Sequence, residues 1–377
     1  MRRSRGFSLV ELMVAVTLAL IVSAGVISVF VGSRSAYQST AGVAAVSDSG
    51  RFALNYLESA VRDAGNMACG SPVRTIFNVG PGSPLNTPPF PTLAFQPITG
   101  FEAAGTGIGG AYNVSATPGA AGNWNSPIGW AAGLDSAFGS LSAAVPPAFP
   151  VLNNDVLVVR SSTQGGSPAF VSNMGTNSFD VTAVPSTFAA QKLAIISDCV
   201  KSLIFQISSI GGNTISHTTG GLPGNLTNTF PSGVNFDLGS EVTLLQTTAY
   251  YIGVGADGDG ALFSADLSAG NSFTSVATPV SPNELVPDIE AMQILYGLDT
   301  KGTRTVGQWV TADQVPDFTS VMSVHIALLA AGPPGSANMG AAAAQTYNLL
   351  GTIVTAPVDT RNRQVFDITV GVRNLLP

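Results

Sequence analysis

The sequence predicts an α+β fold in which one very long N-terminal helix carries a mostly antiparallel β-sheet head with long Gly/Pro-rich loops. Three observations lead there. An uncharged run from Leu12 to Ser33 passes without a break into an amphipathic stretch that ends at Ala64-Gly65. From Asp155 onward the chain reads as short alternating or fully apolar runs bounded by turn residues, the pattern of half-buried and buried strands. A helix followed by strands, with no further helices between them, places the chain in the α+β class.

The N-terminus is MRRSRG followed by FSLVELMVAVTLALIVSAGVISVFVGSRS. Arg2, Arg3 and Arg5 precede Gly6, Glu11 is the one acid, and no charge then appears until Arg34. Twenty-two uncharged residues make a helix of roughly 33 Å, enough to cross a ~30 Å hydrocarbon core. The basic leader orients such a helix with its N-terminus in the cytoplasm. A cleaved secretory signal would have a shorter apolar core and a small-residue step after it, and neither is present. An ionisable residue in such a segment is expensive and points to a partner or a function. Thr17, Ser23 and Ser28 need no such role, because a hydroxyl can bond back to the carbonyl one turn earlier.

Downstream, Val43, Val46, Ala53, Leu54, Leu57, Val61 and Ala64 recur at three- and four-residue steps. Asp48, Arg51, Asn55, Glu58 and Arg62 form the opposite stripe, with Glu58 and Arg62 spaced as an i,i+4 pair. The pattern stops at Gly65, the expected C-terminal glycine. The expected organisation is a leader at 1–6, a transmembrane or filament-core helix at 7–33, an amphipathic helix at 34–65 and an exported head at 66–377. Within the head, 66–150 is expected to be a loop-rich insertion and 155–377 the β-sheet. Runs such as PGSPLNTPPFPT and GTGIGGAYN carry Gly or Pro every few residues and read as loops. Trp124 and Trp130 in that region are expected to pin it to the head. Strands are expected at 155–162, 203–207, 242–254, 289–296, 321–329 and 365–373, with a hairpin through Asp257-Gly-Asp259-Gly. In the last strand Phe366, Ile368, Val370 and Val372 face one way, and Asp367, Thr369 and Arg373 the other.

The segment G-F-S-L-V-E-L-M-V resembles the processing site of type IV prepilins and pseudopilins. That resemblance implies cleavage between Gly6 and Phe7 by a prepilin peptidase and N-methylation of Phe7. It also implies a subunit-assembly contact between the Glu11 carboxylate and the N-terminal amine of a neighbouring subunit's Phe7. The C-terminal stretches VPDIEAMQILYGLDT, SVMSVHIALLA and DTRNRQVFDITVGVRN stand in order, together with NMACG around Cys69 and SDCVKSLIFQI after Ser197. Together they resemble PilW-type minor pilins of the type IV pilus. His325 stands where an arginine is usual, and Lys301-Gly302-Thr303 replaces an acidic repeat. The implied function is a structural tip subunit that primes assembly with other minor pilins and the major pilin, and that carries a PilY-type adhesin. It would work from an inner-membrane assembly platform and support adhesion and twitching motility. The implied location is the inner membrane, head in the periplasm, before assembly and the extracellular pilus tip after it. The alternatives are a J-type pseudopilin of type II secretion and, from another class, a membrane-anchored exported enzyme.

The chain has 15 basic and 22 acidic residues; without Arg2, Arg3 and Arg5 the basic count falls to 12, a net charge of −10. Only 10% of residues are charged, far below the usual ~25%. No basic patch invites nucleic acid. Cys69 and Cys199, an even pair in an exported chain, are expected to form a disulfide. No catalytic, cofactor-binding or metal-ligating residue is expected, for want of nucleophile elbows, zinc spacings or phosphate loops. Asp257 and Asp259 hold only a fragment of a calcium loop, and Asp-Gly between strands is first of all a turn. His217 and His325 lie on separate segments without a ligand set around them.

Overall fold

In the computed structural model, the described residues are 8–68, 96–117, 123–125, 150–162, 167–219, 225, 227–230, 235–266, 268, 282–303, 305–337 and 344–372. One helix, α1 (Leu9–Asp63), is followed by β1 (Ile98–Ala103), β2 (Ala111–Asn113), β3 (Trp124–Asn125), β4 (Val156–Ser162), β5 (Ala169–Met174) and β6 (Ser178–Val181). Next come β7 (Leu193–Ser197), β8 (Ser202–Gln206), β9 (Ser209–Gly211), β10 (Thr214–Ser216), β11 (Glu241–Val254), β12 (Gly260–Asp266) and β13 (Pro282–Pro287). The chain closes with β14 (Ile289–Leu298), β15 (Gln308–Val310), β16 (Val321–Ala331), β17 (Thr346–Leu349), β18 (Thr352–Thr355) and β19 (Arg363–Gly371).

Strand pairing is antiparallel throughout these elements except between β18 and β2. The 14-residue β11 organises the large sheet. Its first half pairs with β5 and β7, and its second half with β4 and β12. A separate sheet of four strands runs β15-β14-β16-β19. The segment expected to be loop contributes a core strand: all six residues of β1 are buried, paired with β4. A six-residue run reading ITGFEA shows neither alternation nor β-branched richness, so no pattern marks it. Trp124 is buried, and its indole N–H donates to the Asn154 carbonyl at 2.8 Å. Trp130 lies outside the described residues.

The helix behaves as two halves. From Leu9 to Arg34 every side chain is exposed, and an added Cβ at Gly25 or Gly32 would meet nothing. With no contact to its own head, this half has its apolar surface free for lipid or for other helices. Thr17 donates back to the Met13 and Val14 carbonyls, which satisfies its hydroxyl locally. Beyond Arg34 one stripe docks on the four-stranded sheet. Leu57 and Val61 are fully buried there, and each such side chain contributes about 1.5–3 kcal/mol. Of the expected stripe, Val46, Ala53, Leu54, Leu57, Val61 and Ala64 are buried, while Val43 is about half exposed. Gly42 and Gly50 also lie on the buried face, where glycine carries no apolar signal to mark them.

These glycines set how closely the helix approaches. A Cβ on Gly50 would lie 2.3 Å from the Phe366 ring of β19, and one on Gly42 would lie 2.2 Å from Ser336 Cβ. Gly50→Ala should therefore destabilise by about 1–3 kcal/mol through overpacking. That outcome runs against the ~1 kcal/mol that alanine gains over glycine in a helix. Urea melts should show Gly25→Ala neutral or stabilising beside it; equal gains from both variants would refute close docking at Gly50. The helix ends at Gly65, which takes φ +75° and donates its N–H to the Arg160 carbonyl at 2.8 Å. Arg62 and Glu58 form the expected i,i+4 pair, Nε to Oε1 2.8 Å.

The head has two main apolar cores. One lies between α1 and the sheet of β14, β16 and β19, and includes Leu157, Met292, Ile326 and Val370. The other is formed by β5 to β8, β10 and the start of β11, around Phe179, Phe205 and Ile195.

Candidate assembly surface

The exposed start of α1 is built around Ser8 and Glu11. Ser8 is the N-cap: its hydroxyl accepts from the Glu11 N–H at 3.3 Å, and its own N–H donates to Glu11 Oε2 at 3.1 Å. This reciprocal capping box satisfies two orphan donors of the first turn. It also places a carboxylate at the positive end of the helix dipole. The carboxylate stays exposed with lone pairs to spare, so it can accept an ammonium brought up beside it. Gly6 and Phe7 lie outside the described residues.

Near the start of the docked half of the helix, where Arg361 Nε donates to the Gly332 carbonyl, stands a group of charges that the sequence did not single out. The Arg363 guanidinium, 3% exposed, donates from Nε to Glu290 Oε2 at 2.6 Å and from Nη2 to Glu290 Oε1 at 2.9 Å. It also donates to Asp359, at 2.7 Å from Nη1 and 2.6 Å from Nη2. Burial works to lower its pKa, but the bonds to Asp359 and Glu290 outweigh burial and push it up, so the cation is firmly held. Arg361 reaches the hairpin between β11 and β12: its Nη2 lies 2.9 Å from Asp259 Oδ2 and 2.8 Å from Asp288 Oδ1.

The Asp257-Gly-Asp259-Gly segment is a turn. Gly258 has φ +88°, Gly255 N–H donates to the Asp259 carbonyl at 2.7 Å, and Asp259 N–H donates to Asp257 Oδ1 at 3.1 Å. The carboxylates of Asp257, Asp259 and Asp288 come within 4.8 Å of one another. Two of the three already share the Arg361 guanidinium, so the arrangement supplies its own cation. The signal was an Arg-x-Arg step after Asp359, but two of its acidic partners, Asp288 and Glu290, are each 73 residues away.

β19 is the outer strand of its sheet, paired only with β16 among the described residues. Its even-numbered side chains pack toward α1, and Phe366, Ile368 and Val370 belong to that core. On the opposite face Asp367 Oδ2 lies 3.0 Å from His325 Nε2, and the His325 ring stands edge-on to Trp309. His325 is thus paired across strands. Cys199 sits in a tight turn at φ +66° and is disulfide-bonded. Cys69 lies outside the described residues. His217 is buried among phenylalanines of the second core.

Residues 1–27 match the family model described as the prokaryotic N-terminal methylation motif, and residues 249–374 match that of Type IV Pilus-assembly protein W. The N-terminal segment is thus similar to that of type IV prepilins, and the C-terminal third to the PilW pilus-assembly protein. The second match runs from the middle of β11 to the end of β19, so it takes in the four-stranded sheet, the Arg361 and Arg363 network and the open edge. A type IV-like pilin from Thermus thermophilus is similar at 19% identity, over 38% of this chain and 73% of that one. Its TM-score is 0.23, so it carries no argument about the head. No curated protein matches the chain. PilW-type and related pilins are structural pilus components and not enzymes. The long N-terminal helix and the mostly antiparallel head are the α+β architecture expected from the sequence.

Proposed function

We propose that the chain is a PilW-type minor pilin, a tip subunit that primes pilus assembly with the other minor pilins and presents a PilY-type adhesin, in support of adhesion and twitching. In this reading prepilin peptidase cuts between Gly6 and Phe7, and Phe7 is N-methylated. The basic leader holds the N-terminus in the cytoplasm until then, with the head in the periplasm, and the assembly platform later moves the head outside. Cys69 and Cys199 form the disulfide of the head. The observation that carries the assembly reading is the exposed first half of α1, which ends in a carboxylate bonded only through its own first turn. A neighbour's Phe7 amine meets that carboxylate and fixes the axial step. The open edge of β19 gives partner heads a row of main-chain groups to pair with.

Glu11→Ala tests the contact. The variant should be processed and membrane-inserted, and mass spectrometry should show N-methylated Phe7 as the first residue. Its recovery in sheared pili should fall at least tenfold. Normal recovery would remove the carboxylate from assembly, and a retained Met1 in the native host would remove the processing claim.

A further inference from the structure

A buried acid cluster lies between β1 and the C-terminal sheet, away from every contact invoked for assembly. Glu102 of β1 is 4% exposed. Its Oε1 accepts from the Thr106 hydroxyl at 3.2 Å, and the Ala312 main-chain N–H lies beside the carboxyl group. Its Oε2 is buried and has no hydrogen-bond partner among the described residues. Asp155, at the entry to β4, has both oxygens engaged: Oδ1 by the Ala103 N–H at 3.0 Å and Oδ2 by the Ile294 N–H at 2.8 Å. The Tyr296 hydroxyl of β14 is buried, also without a partner among the described residues, and packs over Gly100 so closely that a Cβ there would lie 2.0 Å away. Tyr112 of β2 accepts from Gln293 Nε2 at 3.4 Å. Asp313, on the short 3-10 turn Ala312–Gln314, adds its negative charge from the other side.

Two carboxyl groups in one buried place do not both ionise cheaply. Burial and the Glu102 charge raise Asp155 well above the usual carboxylate range, but its main-chain donor on each oxygen works the other way and favours its anion. Glu102 keeps one oxygen that faces no donor, and a carboxyl proton is best placed there. We propose that Glu102 is protonated in the folded head and serves as a pH-sensitive latch between β1 and the Ala312–Gln314 turn. The latch fastens the large sheet, through β1 and β4, to the four-stranded sheet, whose β15 and β16 flank the turn. A second tie runs alongside, from Gln96 Nε2 to Asp317 Oδ1 at 3.4 Å.

Burial moves the Glu102 carboxyl up from 4.5 to about 7, against the Thr106 bond and with the Asp313 charge adding to the rise. An acid whose pKa is raised by folding stabilises fully below its unfolded value, and that stabilisation is lost as pH climbs to the folded value. The latch is therefore tight in mild acid and loosened at neutrality and above.

Hydrogen exchange of the full-length protein in detergent reads the latch directly. After correction for intrinsic rates, opening of segments 96–106 and 308–318 should rise tens of fold from pH 5 to pH 7.5 and then level off, at up to tenfold per pH unit. E102Q should keep both segments closed across the range, whereas D155N should loosen them at every pH. An unchanged pH response in E102Q would overturn the proposal. The wild type offers a check that needs no variant: the infrared carbonyl band of a buried protonated carboxyl should be present at pH 6 and absent at pH 9. No such band at pH 6 would overturn it equally.

Discussion

Arg363→Ala should destabilise the head by about 3–5 kcal/mol, the usual cost of leaving a buried charge without its partner. The guanidinium makes four hydrogen bonds to two carboxylates at the start of β19, and it is 3% exposed. Removing it strands Glu290, 6% exposed, whose nearest remaining cation is Arg361, with Nη1 at 3.7 Å. Arg363→Lys should recover part of the loss, because an ammonium keeps the charge but cannot make the two-pronged bonds of a guanidinium. Urea melts of the full chain would measure both. A change within about 0.5 kcal/mol for the alanine variant, the range of ordinary surface positions, would mean that the network adds nothing. The consequence reaches beyond stability. This cluster joins the β11–β12 turn, the entry to β14 and the entry to β19, so its loss should loosen the open edge proposed to receive partner heads.

How much of this was legible from residues alone depended on whether a signal was local. The second half of α1 announced itself because Leu54, Leu57 and Val61 recur at helical steps. β19 did so because Phe366, Ile368 and Val370 alternate with polar residues. β1 was illegible: six consecutive buried residues that include a glycine and a glutamate match neither period, and tertiary burial overrode composition. The charge network was illegible for a different reason. Arg363 and Glu290 are 73 residues apart, and only the pairing of β16 with both β14 and β19 brings them together. The Ser8-x-x-Glu11 capping box was present in the sequence as a local motif. The family resemblance drew attention to Glu11 as an intersubunit group, and its role in its own first turn went unread.

Acidification should open the second core. His217 is 2% exposed, its ring stacked on Phe230 at 4.1 Å between centroids and 6° between planes, with Phe205 at 5.9 Å and Phe179 at 6.1 Å. Its Nε2 is buried with no partner among the described residues. Burial pushes the imidazole down from 6.5 to about 4. A base lowered by folding stabilises fully above its unfolded value, and that stabilisation is lost as pH falls to the folded one. The shift corresponds to on the order of 3 kcal/mol, lost between about pH 6.5 and pH 4. Hydrogen exchange of β7, β8 and β10 should report it, and His217→Phe, which keeps the ring stack, should abolish it. Persistence of the acid limb in that variant would place its origin elsewhere. The sign is opposite to that of Glu102 in the other core, over an overlapping range. In a global melt these two contributions oppose each other, while each core shifts by itself. Segment-resolved exchange at pH 5 and pH 7.5 should find the β1 contact tighter in acid and the His217 core tighter at the higher pH.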